Sequence, residues 1–435
     1  MTASTPPFSW RSIILPAYLP TLLFSLGEGA IIPVIPVVAT ERGASLALAG
    51  LIAAMLLVGG LIGDLPAGWL VARIGERNAM IGAAMLAVVG VLIALAAPTE
   101  LALGIGVFLL GLATAVFGLA RHAFLTSYVP AGVRARALST LGGVFRAGWA
   151  VGPFVAAALI AATGSPESVF WVLVAACFAV VVVLLLLPDP ERVFGAARLA
   201  RAASGTGRTE GEIEADAAAQ GVFRAIATHR EVLVRIGSGI GLLAAIRASR
   251  MVILPLWAVS IGMPPETAAL VIGISGAIDF ALFYVSGQLM DRFGRLWGAI
   301  PGLVGLAIGH LVLAFTHDLP DAAAWFTGVA VLFGVANGLS SGVMLTLGAD
   351  LAPKAHPAPF LGAYRTIADA GGAVAPLVIA AITSAVSIMA ASATMGVVGL
   401  VGAAVMWRYV PRYVPRRPRP GDAEPPSGDR GTRAD

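Results

Sequence analysis

Residues 287–295 read GQLMDRFGR, a knot of charge (Asp291, Arg292, Arg295) between two long apolar runs. Starting at Gly68, 219 positions earlier, GWLVARIGER repeats the same rhythm of Gly, Leu, Arg and Gly, again between two apolar runs. The copies differ in their charge. Where the second has Asp291 and Arg295, the first has Ala72 and Glu76. Only 12% of the chain is charged, so a charged phrase written twice at equivalent places points to a duplicated unit.

The flanking runs decide the class. Hydrophobic residues make up 58% of the 435, with a mean hydropathy of +0.90, whereas soluble domains are about 25% charged. The composition is that of an integral membrane protein. A spanning helix needs about 20 mostly apolar residues, because its backbone polar groups must be satisfied within the segment. Twelve runs qualify: about 13–39, 47–71, 79–97, 102–128, 137–162, 168–188, 231–261, 266–290, 296–316, 323–349, 360–384 and 388–408. They are too long and too evenly apolar for barrel strands of about ten alternating residues. The first run follows Arg11 as a signal peptide would. Its length, its Glu28, Pro33 and Pro36, and the lack of a small-residue cleavage site predict a retained helix instead. Cys177 is the only cysteine, so an internal disulfide and a thiolate metal cluster are excluded.

Basic residues set the topology. The connections after the odd-numbered runs hold one Lys or Arg between them, Arg42. The even connections hold Arg73 and Arg77, Arg134 and Arg136, the arginines of 189–230, Arg292 and Arg295, Lys354, and the tail from Arg408 onward. Positive residues stay cytoplasmic, which predicts both termini inside a multi-pass inner (plasma) membrane protein. The domain expectation is a six-helix bundle over 1–188, a cytoplasmic linker at 189–230, a second bundle over 231–410 and a disordered tail at 411–435. The net charge of +4 serves topology and contact with acidic lipid, so no nucleic-acid partner is expected.

A second phrase also recurs. GWAVGP (Gly148 to Pro153) in the fifth run is echoed by GGAVAP (Gly371 to Pro376) in the eleventh. The offset of 223 nearly matches the first one, as one duplication of a six-helix unit requires. Paired six-helix repeats are a transporter architecture, with the substrate site where the halves meet.

These phrases resemble the major facilitator superfamily. Gly287, Asp291, Arg292, Gly294 and Arg295 match its loop motif, which Gly68, Arg73, Gly75 and Arg77 match in part. PVIP in the first run and Gly148, Gly152 and Pro153 in the fifth resemble further signatures, the latter those of proton-coupled drug antiporters. The resemblance implies an all-α fold of twelve transmembrane helices in two six-helix bundles. It also implies a loop motif that latches the cytoplasmic gate, and cavity-facing Glu28, Arg121, Arg247 and Asn337. On physical grounds, Gly287 lets the eighth helix approach a neighbour, and Asp291 can face a helix N-terminus or an arginine. The fifth helix's small residues pack against the other half. Asp64 and Arg121 can replace the missing pair of the first copy.

An ionisable residue at mid-membrane costs about 2.5–3.5 kcal/mol on insertion scales, so each one present is a functional candidate. Glu28, Asp279 and Asp369 are the candidate proton-coupling residues. Glu28, Arg121, Arg146, Arg247, Arg250, Asn337 and Arg365 are the candidate cavity residues. Arg365 and Asp369, four apart, can also pair along one helix face. His122 and His310 are read as helix-buried, hydrogen-bonded imidazoles, without metal-ligand spacing around them. No phosphate-binding loop and no catalytic constellation is seen, so no cofactor, metal or enzymatic activity is expected. The expected function is secondary transport of a small organic molecule by a monomer working through alternating access, as proton-coupled efflux. A symporter or facilitator for an anionic metabolite is the alternative, and a transport-inactive receptor or scaffold the alternative of another class.

The arginine asymmetry generates a topology prediction. A cysteine placed at Ser204 should react with an impermeant thiol reagent only after cells are opened; labelling of intact cells would reverse the assignment.

Overall fold

The computed structural model describes residues 14–96, 99–129, 131–187, 228–353 and 357–414. The linker at 189–227, Lys354 and the tail from 415 lie outside the described residues. All twelve anticipated spans are present as helices. In chain order they are α1 (Leu19–Ile31 continued by Ile35–Glu41), α2 (Leu46–Ile74), α3 (Glu76–Ala96), α4 (Glu100–Tyr128), α5 (Ala131–Thr163) and α6 (Phe170–Leu186). The second set is α7 (Arg230–Ser260), α8 (Pro265–Phe293), α9 (Leu296–Thr316), α10 (Ala322–Leu339 continued by Val343–Leu351), α11 (Pro357–Ala385) and α12 (Ile388–Tyr413).

Two spans are broken, and local chemistry explains both. In α1, Pro33 has no N–H and its ring clashes with the preceding turn, while Pro36 opens the second piece, where a missing N–H costs nothing. In α10 the chain leaves the helix at Ser340–Gly342. There the Ser286 hydroxyl of α8 donates to the Leu339 carbonyl at 2.7 Å and accepts from the Gly342 amide at 3.3 Å. One side chain thus satisfies backbone groups that the break sets free.

The opening phrase ends a helix both times. Gly75 and Gly294 have φ of 81° and 97°, a region that a Cβ disfavours. Their amides bond back to the Val71 and Met290 carbonyls, each at 3.0 Å.

The packing repeats as the sequence does. In the first half α1 lies on α5 and α6, α2 on α4, and α3 on α4 and α6. In the second, α7 lies on α11 and α12, α8 on α10, and α9 on α10 and α12. The halves meet along α5–α8 and α2–α11, with smaller contacts of α7 to α2 and to the second piece of α1. At the end of the molecule carrying the odd connections this seam is apolar. A Cβ on Gly50 of α2 would lie 3.1 Å from Leu256 of α7 and 3.9 Å from Ala380 of α11. The lone cysteine, Cys177, is fully buried in α6.

The glycines of the fifth-helix phrase correct one expectation. A Cβ on Gly148 would overlap the Ser25 hydroxyl of α1, and one on Gly152 would overlap the Ala30 amide. Both therefore pack inside their own half, not against the other. Gly371 of α11 does the same, its Cα side lying on the Gly241 carbonyl of α7. Contacts of α5 with the other half include Gly143 facing Tyr284, and Ala150 and Phe154 against Gly276 and Gly273 of α8. Gly287 corrects another: a Cβ there would meet nothing, so it supports no close approach in this conformation.

Gly152→Val should accordingly lower stability by about 1–3 kcal/mol, the usual cost of overpacking. Gly142→Ala, on the same helix but facing open space, should be neutral or stabilising. Thermal melting in detergent compares them, and equal melting points would refute the close-contact assignment.

Candidate functional site

A cavity of about 310 Å³ lies at the seam between the halves. The break in α1 contributes Gly29, Ile32 and Pro33 to its wall. From α5 come Phe145, Arg146 and Trp149, from α7 Arg247 and Arg250, from α8 Asp279, and from α10 Asn337. Helical geometry explains the set, since residues three or four apart share a face: Phe145 with Trp149, Arg247 with Arg250, and Ser275 with Asp279.

Asp279 is the hub. Its Oδ1 accepts from Nη1 of Arg146 at 3.4 Å, and its Oδ2 from Nη2 of Arg250 at 3.3 Å and Nδ2 of Asn337 at 2.8 Å. Arg146 belongs to the first half and Arg250 to the second, so one carboxylate joins the two bundles. The Arg146 guanidinium also lies 4.8 Å from the ring centre of Phe283, a cation–π distance. Arg250 donates a further long bond, 3.4 Å, to the Ser275 hydroxyl. Among the described residues Arg247 makes no ion pair; it donates one hydrogen bond, to the Ser340 carbonyl at 3.1 Å, at the break in α10.

Glu28 sits behind this wall rather than on it. It is 1% exposed and does not line the cavity, contrary to the cavity half of its expected role. The Thr114 hydroxyl of α4 donates to its Oε1 at 2.7 Å, and the indole Nε1 of Trp149 donates to its Oε2 at 2.8 Å. Trp149 therefore has one edge on Glu28 and its ring on the cavity. Arg121, also expected to face the cavity, is set back with Glu28. Its guanidinium lies 4.5 Å from the ring centre of Phe145, and its Nε has no hydrogen-bond partner among the described residues.

The remaining candidates lie apart from the cavity. Arg365 and Asp369 pair along α11 at 3.4 Å, as their spacing implied, with the Arg365 side chain 74% exposed. Asp64 does not pair with Arg121; it is exposed, and its charged neighbours are Arg365 and Asp369 across the seam. His310 is fully buried between the hydroxyls of Ser249 (2.8 Å) and Ser392 (3.2 Å), and His122 lies 3.1 Å from the Gly118 carbonyl. Among the described residues, no group of three His, Cys, Asp or Glu could hold a metal.

In the second copy of the loop motif, the Asp291 side chain is 80% exposed and, among the described residues, pairs with Arg295 at 3.2 Å. Arg295 bonds more closely to Asp350 on the second piece of α10, at 2.6 Å through Nε. In the first copy Arg77 donates to the carbonyls of Leu184, Leu185 and Leu187 and so caps α6. Arg73 and Arg292 lie over the rings of Trp69 and Phe293. These contacts of Arg77, Asp291 and Arg295 lie within their own halves.

Sequence reasoning missed Trp149, Thr114 and Asp350. Trp149 was within reach, being the one polar side chain inside GWAVGP. Thr114 and Asp350 carried no signal, because their roles depend on which helix lies opposite.

Twelve spans in two alike bundles, meeting at a charged central cavity, define a secondary transporter. The chain belongs to the Major Facilitator Superfamily, whose family model matches residues 18–376 and, in a second alignment, 237–432. Among curated proteins it is similar to the galactose-proton symporter of Escherichia coli, 26% identical over 182 residues, which is 42% of this chain and 39% of the symporter. It is also similar to a triacylglyceride transporter of Mycobacteroides abscessus, 36% identical over 91 residues, or 21% of this chain and 17% of that one. The matches thus span well under half the length of these relatives. Among solved structures, a D-xylose-proton symporter superposes with a TM-score of 0.70 at 18% identity, covering 94% of this chain and 99% of the other.

Asp350→Asn should raise amide hydrogen exchange in both the α8–α9 turn and the second piece of α10. Asp291→Asn should change it about five-fold at most, since an exposed pair is worth under about 1 kcal/mol. Unchanged exchange in the Asp350 variant would show that the Arg295 pair holds nothing.

Proposed function

We propose that this transporter couples solute movement to protons by symport, with Glu28 as the proton site. The observation that carries the proposal is the pair of donors on Glu28, one of which, Trp149, is also a wall of the cavity. As a carboxylate, Glu28 accepts from both. When a proton from water joins it, the two oxygens stop being equivalent. An indole N–H can only donate, whereas a hydroxyl can donate or accept. The proton therefore goes to Oε1, where Thr114 turns from donor to acceptor and the Trp149 bond survives. A proton on Oε2 would make that oxygen a poorer acceptor and loosen the indole, and with it the cavity wall.

Alternating access completes the cycle. The two bundles rock about the seam, with Arg146 and Arg250 exchanging their hold on Asp279 as the halves move. The protein works as a monomer in the inner membrane, with the even connections and both termini cytoplasmic, following the arginine asymmetry. Symport is supported by the likeness to a galactose-proton symporter and a D-xylose-proton symporter. A second reading, proton-driven efflux, is favoured by the GWAVGP phrase, which resembles that of drug antiporters.

Proteoliposomes with an imposed pH gradient test both readings in one screen. Symport predicts that the solute identified accumulates on the alkaline side, together with protons; accumulation on the acidic side would establish antiport. With that solute, Glu28→Gln should abolish accumulation and leave downhill exchange intact. Trp149→Phe, which keeps the ring and removes the donor, should weaken coupling less. Full accumulation in the Glu28 variant would pass the proton role to Asp279 or Asp369.

A further inference from the structure

Four charged side chains line the cavity: Arg146, Arg247, Arg250 and Asp279. Three guanidinium groups face one carboxylate, and Asp279 is already shared by Arg146 and Arg250 through bonds of 3.4 and 3.3 Å. Arg247 is left with a single bond to a backbone carbonyl. A largely enclosed guanidinium with one neutral partner is costly unless a counter-ion reaches it.

We infer that the cavity binds a small organic carboxylate with an apolar or aromatic body, and that Arg247 grips the carboxylate. This deepens the transport reading by naming the class of solute. A planar guanidinium matches the two oxygens of a carboxylate, and the N–H groups of Arg247 not used on Ser340 supply that edge. The rest of the wall accommodates the body. Phe145, Trp149, Leu254, Ile272 and Phe280 present carbon, and the Trp149 N–H is spent on Glu28.

The same inventory disfavours other solutes. A sugar needs a partner for most of its hydroxyls, yet the uncharged polar side chains on the wall are only Ser275, Asn337 and the indole of Trp149. Ser275 already meets Arg250, and Asn337 donates to Asp279, which leaves its Oδ1 as an acceptor for one hydroxyl, too few for a sugar. An organic cation would enter a cavity whose lining carries two net positive charges, and like charges repel strongly where water is scarce. The volume, about 310 Å³, is at the small end of ligand sites and suits a compact molecule.

The test uses the purified full-length protein in detergent, with four probes of similar size: benzoate, benzamide, benzylamine and D-galactose. Calorimetric titration and thermal melting are read for each. Benzoate should bind and raise the melting temperature, and the other three should do so weakly or not at all. Arg247→Gln should weaken benzoate binding at least about tenfold, a loss of about 1.4 kcal/mol. Arg247→Lys, which keeps the charge and loses the fork, should fall between the two and serves if the Gln variant does not fold. No benzoate binding, tighter binding of benzylamine or galactose, unchanged benzoate affinity in a folded Gln variant or, where that variant does not fold, unchanged affinity in the Lys variant would overturn the inference. None of these readings needs a membrane gradient. Benzoate binding without proton-linked uptake would sink the symport proposal and leave the anion site standing.

Discussion

Within each half, backbone meets backbone at a glycine. Gly148 and Gly152 let α5 lie directly on α1, and Gly371 lets α11 lie on α7. In lipid there is little hydrophobic drive to bring helices together, so close packing and satisfied polar groups must hold a bundle. These contacts set where everything else on α5 points. With Gly148 against α1, the next residue, Trp149, reaches Glu28 at 2.8 Å. Two positions before Gly148, Arg146 faces the opposite half and reaches Asp279. One helix, seated by its glycines, thus serves the proton candidate on one side and the charged cavity on the other.

What the sequence made legible follows from solvent and symmetry. A bilayer demands long apolar helices, so the twelve spans could be read from composition, and duplication left its mark in two phrases at nearly equal offsets. The breaks were only half visible. Pro33 and Pro36 announce the one in α1, but Ser340–Gly342 interrupts α10 without any proline. Its stability depends on Ser286, some fifty residues away in sequence. Asp350 was illegible for the same reason: its partner Arg295 is chosen by the fold of the α8–α9 turn. The charged candidates were found as a set, yet their division into cavity, back wall and exposed surface depended on helix rotation, which an almost uniformly apolar sequence hardly encodes.

The duplication preserved scaffold more faithfully than chemistry. Gly75 and Gly294 make equivalent turns with equivalent hydrogen bonds, and the order of helix contacts is the same in both halves. The charges are not shared in this way. Glu28 and Thr114 belong to the first half, Asp279 and Arg247 to the second, with Arg146 crossing between them. Two bundles of the same shape can rock symmetrically while carrying different loads.

The seam at the odd connections is closed by alkyl groups such as Leu256 and Ala380 around Gly50. Separating such surfaces breaks no ion pair and wets hydrocarbon instead, and apolar association weakens on cooling. The closed state of that face is thus held by a force that fades in the cold. At low temperature that face would open more easily, without any change in the charges that line the cavity.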